Sequence, residues 1–308
     1  MSAKIVVVGS ANIDLIAKAP RLPRPGETIL GGEFTTAPGG KGANQAVSAA
    51  KLGAEVWFVG CIGKDDFANE LLAAFNSAGI YKTFIRQDMH EPTGVGLICV
   101  DEAGENAIVV SSGANMKVSE NDVSKAAPII HSADALILQL EIPNHVSELA
   151  MNLAIASDVP VILNPAPVPQ SSLPLNFITL PNVLTPNELE AAAMTETSIQ
   201  DVGSAKHACS KLLELGARAI VLTLGPEGAI IADGKDMAHI PGFPIKAIDS
   251  TAAGDAFTGA LAFQLAIGAD PHYAAKFACA AGALTCTKMG AQPSLPKPTE
   301  VNALLRGG

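Results

Sequence analysis

Five short runs of this chain are apolar over nearly their whole length: "IVVV" (5–8), "VWFVGCIG" (56–63), "ALILQL" (135–140), "VPVILN" (159–164) and "AIVLTLG" (219–225). A strand with one wet face alternates apolar and polar residues, and these runs do not. They read as strands buried on both faces, the condition of a parallel sheet covered by helices. Helical patterns separate them. "GANQAVSAAKLG" (42–53) is built of small residues, and "DFANELLAAFNSAG" (66–79) sets Phe67, Leu71, Leu72 and Phe75 on one face. Both close on a glycine, a common helix stop. Further helices are predicted at 145–157, 187–194, 201–215, 254–268 and 271–286. A chain of 308 residues that is 48% apolar can bury the core of one such α/β domain.

Two segments interrupt the strand–helix rhythm. "ETILGGEFTTAPGG" (27–40) and "TGVGLICVDEAGENAIVVSSGAN" (93–115) hold paired strand patterns and glycine turns. "VDEAGENAI" reads as a hairpin turning between Val100 and Ile108. These pieces predict a small antiparallel sheet beside the main one, over roughly 13–40 and 93–115. Such a sheet suits a lid, because ligands of open α/β folds bind outside the carboxyl ends of the strands. The proline-rich "NPAPVPQSSLPLNFITLPN" (164–182) reads as a surface loop inside the same domain, since the strand–helix pattern resumes after it.

Charge narrows the partners. A net charge of −10 without a Lys/Arg cluster argues against nucleic acid and anionic membranes. It leaves room for a small anion held by a local positive field. The N-terminal apolar run stops at Gly9, too short for a signal-peptide core or a membrane span, so a cytoplasmic protein is expected. The five cysteines (Cys61, Cys99, Cys209, Cys279 and Cys286) form no CxxC pair and read as small apolar side chains in a reducing compartment. The six histidines show no metal-ligand spacing.

"PGGKGANQAV" (38–47) has the look of a phosphate cradle, yet a P-loop needs GxxxxGK followed by Ser or Thr. Lys41 precedes Gly42 and Lys64 precedes Asp65, so neither lysine fits. "GSANID", after the first strand, lacks the GxGxxG of a dinucleotide site. A better anion site opens at "DSTAAGDAFTGALAFQLAIG" (249–268). Ala252, Ala253 and Gly254 lead into a helix whose first N–H groups are unpaired and carry the positive end of the dipole. Asp255 stands at that mouth. It is either a first-turn or capping carboxylate, or a base that takes a proton from a hydroxyl attacking a phosphate.

Other segments also admit two readings. Asn12 and Asp14 flank Ile13 and share one side of an extended segment, where they could cap a turn or grip neighbouring hydroxyls. "TPNELEA" (185–191) reads as a helix start, with Pro186 at the first helical position and Glu188 and Glu190 in the first turn. "TLGPEG" (223–228) is an ordinary turn, or a place where glycines let backbone lie against a flat ring.

Taken in order, these segments resemble the ribokinase (pfkB) family of carbohydrate and nucleoside kinases. The resemblance runs the whole chain, through "GSANIDL", "PGE" (25–27), "PGGKGANQAVSAAKLGAEVWFVGCIG" (38–63), "TPNELEA", "TLGPEG" and "DSTAAGDAFTGALA" (249–262). "GGKGANQAV", "QLEIP", "NPAP" and "KMGAQPS" are closer to its ribose-phosphorylating branch than to kinases of fructose, adenosine or phosphofructose. Ser250 stands where the family usually has Thr, and Ala252 where many members have Gly; both keep the loop small.

The resemblance implies a three-layer α/β/α fold with a mostly parallel central sheet and a small antiparallel β lid. It implies phosphoryl transfer from ATP to O5 of D-ribose. The alternatives are deoxyribose, another sugar or a nucleoside as acceptor, or a non-catalytic sensor. Asp255 would be the base, and the N–H groups of Ala252, Ala253, Gly254 and Asp255 would hold the transferred phosphoryl. Asn12, Asp14, Gly40, Lys41, Asn44 and Glu141 would bind the sugar, with Gly39 and Gly40 as a hinge and Lys41 free to lean toward phosphate. Asn187 and Glu190 would organise Mg²⁺ and phosphate through water. Thr223, Gly225, Gly228, Gly254 and Cys279 would line the nucleotide. Asp249, Thr251, Thr285, Lys288, Gly290 and Ser294 would ring a monovalent cation, K⁺ foremost. Paired lids would make a homodimer.

Overall fold

The apolar runs lie side by side in one sheet. The computed structural model describes residues 2–103, 106–168 and 173–307. In chain order the first half is β1 (Lys4–Val8), β2 (Asn12–Lys18), β3 (Phe34–Gly39), α1 (Lys41–Leu52), β4 (Glu55–Ile62), α2 (Asp66–Ser77), β5 (Tyr81–Gln87), β6 (Gly94–Val100), β7 (Asn106–Ser111), α3 (Glu120–Ile130), β8 (Ala135–Leu138) and α4 (Asn144–Ile155). The second half is β9 (Val161–Leu163), α5 (Asn176–Thr179), β10 (Val183–Leu184), α6 (Glu188–Thr195), α7 (Val202–Glu214), β11 (Ala219–Thr223), β12 (Ala229–Asp233), β13 (Met237–Ile240), α8 (Ala253–Ala266), α9 (Pro271–Thr285), α10 (Ala291–Ser294) and α11 (Pro298–Gly307).

The large sheet runs β13-β12-β11-β10-β9-β8-β1-β4-β5. It is parallel from β11 to β5, and β12 and β13 extend it antiparallel. Along β1, Val6 and Val8 face one side while Ile5 and Val7 face the other, and all four are fully buried. Each such side chain contributes roughly 1.5–3 kcal/mol by leaving water. One face packs against α3, α4 and α7, the other against α1, α2 and α8. That makes three layers.

Helix α1 crosses α8 at short range because both are built of small residues at the contact. A Cβ on Gly259 would lie 2.6 Å from the Gln45 carbonyl oxygen. The crossing sets Asn44 and Gln45 of α1 beside Asp255 of α8, 211 and 210 positions away in sequence.

The small sheet runs β3-β2-β6-β7. Its outer pairs are antiparallel and its central pair, β2 with β6, is parallel. Segment 27–40 supplies one strand, which pairs with β2 rather than within itself. The cause is that Asn12–Lys18, not marked as a strand by an apolar run, carries a full ladder on both edges. β6 and β7 form the antiparallel pair expected of "VDEAGENAI", with Val100 opposite Asn106; residues 104–105 of that turn lie outside the described residues. Segment 164–182 is more than a surface loop, since Phe177 and Ile178 of α5 are buried in the core; its residues 169–172 lie outside the described residues.

All five cysteines are free thiols. Burial pushes Cys61 up to about 11, and Cys209 and Cys279 up to about 12. Among the described residues no helix is long and apolar enough to cross a membrane.

Candidate active site

Parallel strands end at one edge, and the polar residues gather there. Ser10 to Asn12 follow β1, Glu141 follows β8, Asn164 follows β9, Thr185 to Asn187 follow β10, and Gly225 follows β11. Loops at the carboxyl ends of such strands are where an open α/β sheet holds its ligands. Helix α8 meets this edge with its N-terminus.

That helix start is unusual. Ala252 is its N-cap in a left-handed conformation (φ 61°, ψ 12°), with no side-chain cap. Ala253 N–H is turned inward to Ser250 O at 3.2 Å. Among the described residues, the N–H groups of Gly254 and Asp255 have no acceptor. Asp255 is the third residue of the helix, not its cap, and its carboxylate bonds another helix. Its Oδ2 accepts from Asn44 Nδ2 at 2.9 Å and its Oδ1 from Gln45 Nε2 at 3.0 Å. A capping carboxylate bonds its own first turn. This one, only 7% exposed, is gripped from across the α1–α8 crossing.

Asn12 and Asp14 lie on one face of β2, as their spacing predicts, facing Gly94 and Gly96 of β6 in register. Asn12 Oδ1 accepts from Asn115 Nδ2 at 2.7 Å. Burial pushes the Asp14 carboxyl up to about 6, and the negative fields of Asp255 and Glu141 add to it. Glu141 Oε2 accepts from Ser10 Oγ at 2.5 Å and from Lys41 N at 3.2 Å, at the start of α1. Burial raises the Glu141 carboxyl too, against the pull of Lys41 and of these two bonds. For Lys41, burial works against the charge, but Asp255, Glu141 and Glu190 together outweigh it and hold the ammonium above its ordinary value. Gly40, the N-cap of α1, has φ 89°, and a Cβ there would lie 2.7 Å from Asn12 N. Only glycine permits both that backbone and that approach.

Helix α6 starts at Glu188, so Pro186 sits before the cap and not at the first helical position. Asn187 takes the cap: its Oδ1 accepts from Glu190 N at 2.8 Å, and Glu190 Oε2 accepts from Asn187 N at 2.9 Å. The pair forms a capping box. Burial raises the Glu190 carboxyl.

Two cavities meet at the α8 mouth. A polar one of about 210 Å³ is lined by Lys41, Asn187, Glu190, Ala252 and Asp255. A larger, mainly apolar one of about 560 Å³ is lined by Gly225, Gly228, Phe243, Phe257 and Cys279. Thr223, Ser250, Ala253 and Gly254 border both.

The remaining candidates sit behind this mouth. Asp249 Oδ2 accepts from Gly290 N at 2.8 Å and its Oδ1 from Thr251 N at 2.9 Å, which draws the two loops together. The side chains of Thr285, Ser294 and Lys288 are committed elsewhere, to Ala281 O, Ala291 O and Glu300 respectively. What this set offers an ion is backbone carbonyls. Ser10, Gln45, Asn115 and Asn164 are contacts that sequence reasoning missed. For Ser10 and Asn164 the readable signal was a polar residue just past an apolar run.

The profile of the pfkB family carbohydrate kinases matches residues 2–298. The chain belongs to that family. It is 40% identical over 300 residues to the ribokinase of Haemophilus influenzae, covering 97% of each chain. It is 41% identical over 267 residues to the ribokinase of Mus musculus, covering 86% of this chain and 82% of that one. The structure of Arabidopsis thaliana ribokinase complexed with ribose and ATP aligns with a TM-score of 0.91 at 32% identity, over 99% of both chains. A carbohydrate kinase of this family must bring a nucleotide and a sugar hydroxyl to one phosphorus. In this chain two cavities share one helix start.

Proposed function

We propose that the protein transfers the γ-phosphoryl group of ATP to the O5 hydroxyl of D-ribose, giving ribose 5-phosphate and ADP. The observation that carries this reading is the buried Asp255 carboxylate at an unpaired helix N-terminus, held by two amides of another helix.

In this reading ribose lies against Asn12, Asp14, Asn44 and Glu141, whose amides and carboxylates pair with its hydroxyls. Asp255 accepts the O5 proton as O5 bonds the γ-phosphorus. The bond from that phosphorus to the β–γ bridging oxygen breaks, and ADP leaves with the electron pair. The free N–H groups of Gly254 and Asp255, the helix dipole and the Lys41 ammonium stabilise the charge that develops on the phosphoryl oxygens. The purine enters the apolar cavity beside Gly225, Gly228 and Cys279.

Asn187 and Glu190 line the polar cavity and suit Mg²⁺ held mainly through water, because their capping box already engages Asn187 Oδ1 and one Glu190 oxygen. Bound there, Mg²⁺ would offset phosphate charge. The carbonyls of Asp249 and Thr251, with those of Thr285, Lys288, Gly290 and Ser294, suit a monovalent cation such as K⁺, which would steady the loop ahead of α8. The small sheet serves as the lid that excludes water, and two lids pair into a homodimer. Its support is an exposed apolar face on this sheet, with Phe34 at 62%, Leu97 at 48% and Val109 at 64% exposure on the same side of the register. The reaction is cytoplasmic, in keeping with five unpaired thiols.

The test is ADP release with ribose, deoxyribose, fructose and adenosine as acceptors, with the phosphorylated carbon located by NMR. Fastest turnover with ribose and phosphate on C5 supports the reading. Preference for another acceptor moves the enzyme to the alternative substrate, and no acceptor-dependent ADP release removes the catalytic reading.

A further inference from the structure

The hydrogen bonds behind Asp255 have a fixed direction, and it is set outside the base. Thr185 O is a backbone carbonyl and can only accept. Asn164 Nδ2 donates to it at 2.8 Å, which settles how the Asn164 amide is turned. Asn164 Oδ1 therefore faces Gln45 and accepts from Gln45 Nε2 at 3.1 Å. The same Nε2 donates to Asp255 Oδ1. The other end of that amide, Gln45 Oε1, accepts from Gln139 Nε2 at 2.6 Å. Gln45 and Gln139 are both 0% exposed.

A half-turn of the Gln45 amide would bring Oε1 against Asp255 Oδ1 and Asn164 Oδ1, three acceptors in one place. Gln139 opposes that turn by presenting a donor where an acceptor must stay. It does so at a cost to itself, because among the described residues Gln139 Oε1 is buried without a hydrogen-bond partner. That oxygen fits only because Gly9 and Gly42 are glycines: Cβ atoms there would lie 2.0 Å and 2.9 Å from it. A buried unpaired carbonyl oxygen is unfavourable for stability. An apolar side chain just past β8 would serve the core better.

We infer that Gln139 and Gln45 are positioning residues for the base: Gln139 locks the Gln45 amide so that a donor always faces Asp255 Oδ1. With Asn44 on Oδ2, each carboxylate oxygen has one lone pair engaged, and the carboxylate plane is held with the other lone pairs free for the acceptor hydroxyl. The inference rests on the kinase reading of Asp255, and it names the parts that orient that base.

The experiment compares Gln139→Met and Gln45→Met, each alone and combined with Asp255→Ala, in the full chain, with thermal melts to confirm folding. In otherwise native enzyme each change lowers kcat on the order of tenfold or more, as a misplaced base would, while KM for ribose and ATP stay within about twofold. Combined with Asp255→Ala, neither change lowers the residual turnover further, because two changes acting through one group are not additive. Unchanged kcat in the folded variants overturns the inference. So does an equal loss with and without Asp255, the mark of a merely structural role. Failure of the kinase reading shows separately, as near-normal turnover in Asp255→Ala alone or none in the native enzyme. The lock is then read by NMR of the Gln45 side-chain NH₂. Gln139→Met must shift that signal and speed its exchange; an unaltered signal overturns the lock.

Discussion

Asn44 Nδ2 lies 2.9 Å from Asp255 Oδ2, a bond between residues 211 positions apart that places an amide donor directly on the proposed base. This changes how the base is best tested. Asp255→Asn puts an NH₂ group among two donors, Asn44 Nδ2 and Gln45 Nε2, a conflict relieved only if the Asn44 amide, whose Oδ1 has no partner among the described residues, turns over. Asp255→Ala removes the carboxylate without that conflict. Both variants lose kcat by about 10²- to 10⁴-fold, while Asp255→Ala keeps ribose and ATP affinity within a few-fold by calorimetry. Turnover near the native rate in the alanine variant would falsify the assignment.

The proposed sugar contact of Asp14 predicts that ribose binding depends on pH. Its carboxyl, raised from 3.8 to about 6 chiefly by burial, is neutral below that pH and then loses acceptor capacity toward the sugar. The KM for ribose rises as pH falls through about 6, and Asp14→Asn, with a high KM throughout, abolishes that rise. Stability moves the other way. Between 3.8 and about 6 the folded chain binds a proton at Asp14 that the unfolded chain has released, so this site's contribution to stability falls as pH rises through that window. Two pKa units correspond to roughly 3 kcal/mol at most. Asp14→Asn therefore melts higher than the native protein at pH 7 despite binding ribose worse. A lower melting temperature there contradicts the burial cost.

The fold was legible where burial left a mark on residue type. β1, β8 and β9 are apolar because both of their faces are covered, and α1 and α8 are small because they cross closely. β2 and β5 were silent because each is partly exposed and mixes polar with apolar residues. Asp255, Asn187 and Glu190 stood out by their place at helix starts, a local feature. Gln45 did not, since nothing within a few residues of it says that it touches a carboxylate 210 positions away. Pro186 was misplaced by two positions because Asn187, able to cap through its own side chain, takes precedence over a proline at the first helical position.

Gly254 separates what the protein needs from what the ligand needs. A Cβ on this residue meets no atom within 4 Å, and its backbone is not left-handed. It borders both cavities beside an unpaired N–H. Gly254→Ala should fold with an unchanged or slightly higher melting temperature, since alanine favours a helix by up to about 1 kcal/mol. The new methyl group points into open space at the proposed phosphate position, so KM for ATP rises or kcat falls about tenfold or more. A variant with native kinetics would remove the phosphate from this helix start.

Lys41 carries the positive field that holds a carboxylate cluster together. Asp255, Glu141 and Glu190 all raise its affinity for the proton, and its charge in turn lowers Glu141 and Glu190. Because its folded value lies above its ordinary one, the stability it supplies is fully present below pH 10.5 and is lost only as pH rises through that raised value. Lys41→Met leaves Asp14, Glu141, Glu190 and Asp255 facing each other without that countercharge. The loss of melting temperature is then larger at pH 8, above the range in which Asp14 takes up its proton, than at pH 5, where Asp14 has already taken it up. If the ammonium faces the transferred phosphoryl, as proposed, KM for ATP rises and kcat falls together. A change in the KM for ribose alone, with ATP kinetics intact, would assign Lys41 to the sugar only; an equal loss of stability at both pH values would show that its packing, and not its charge, is what the site uses.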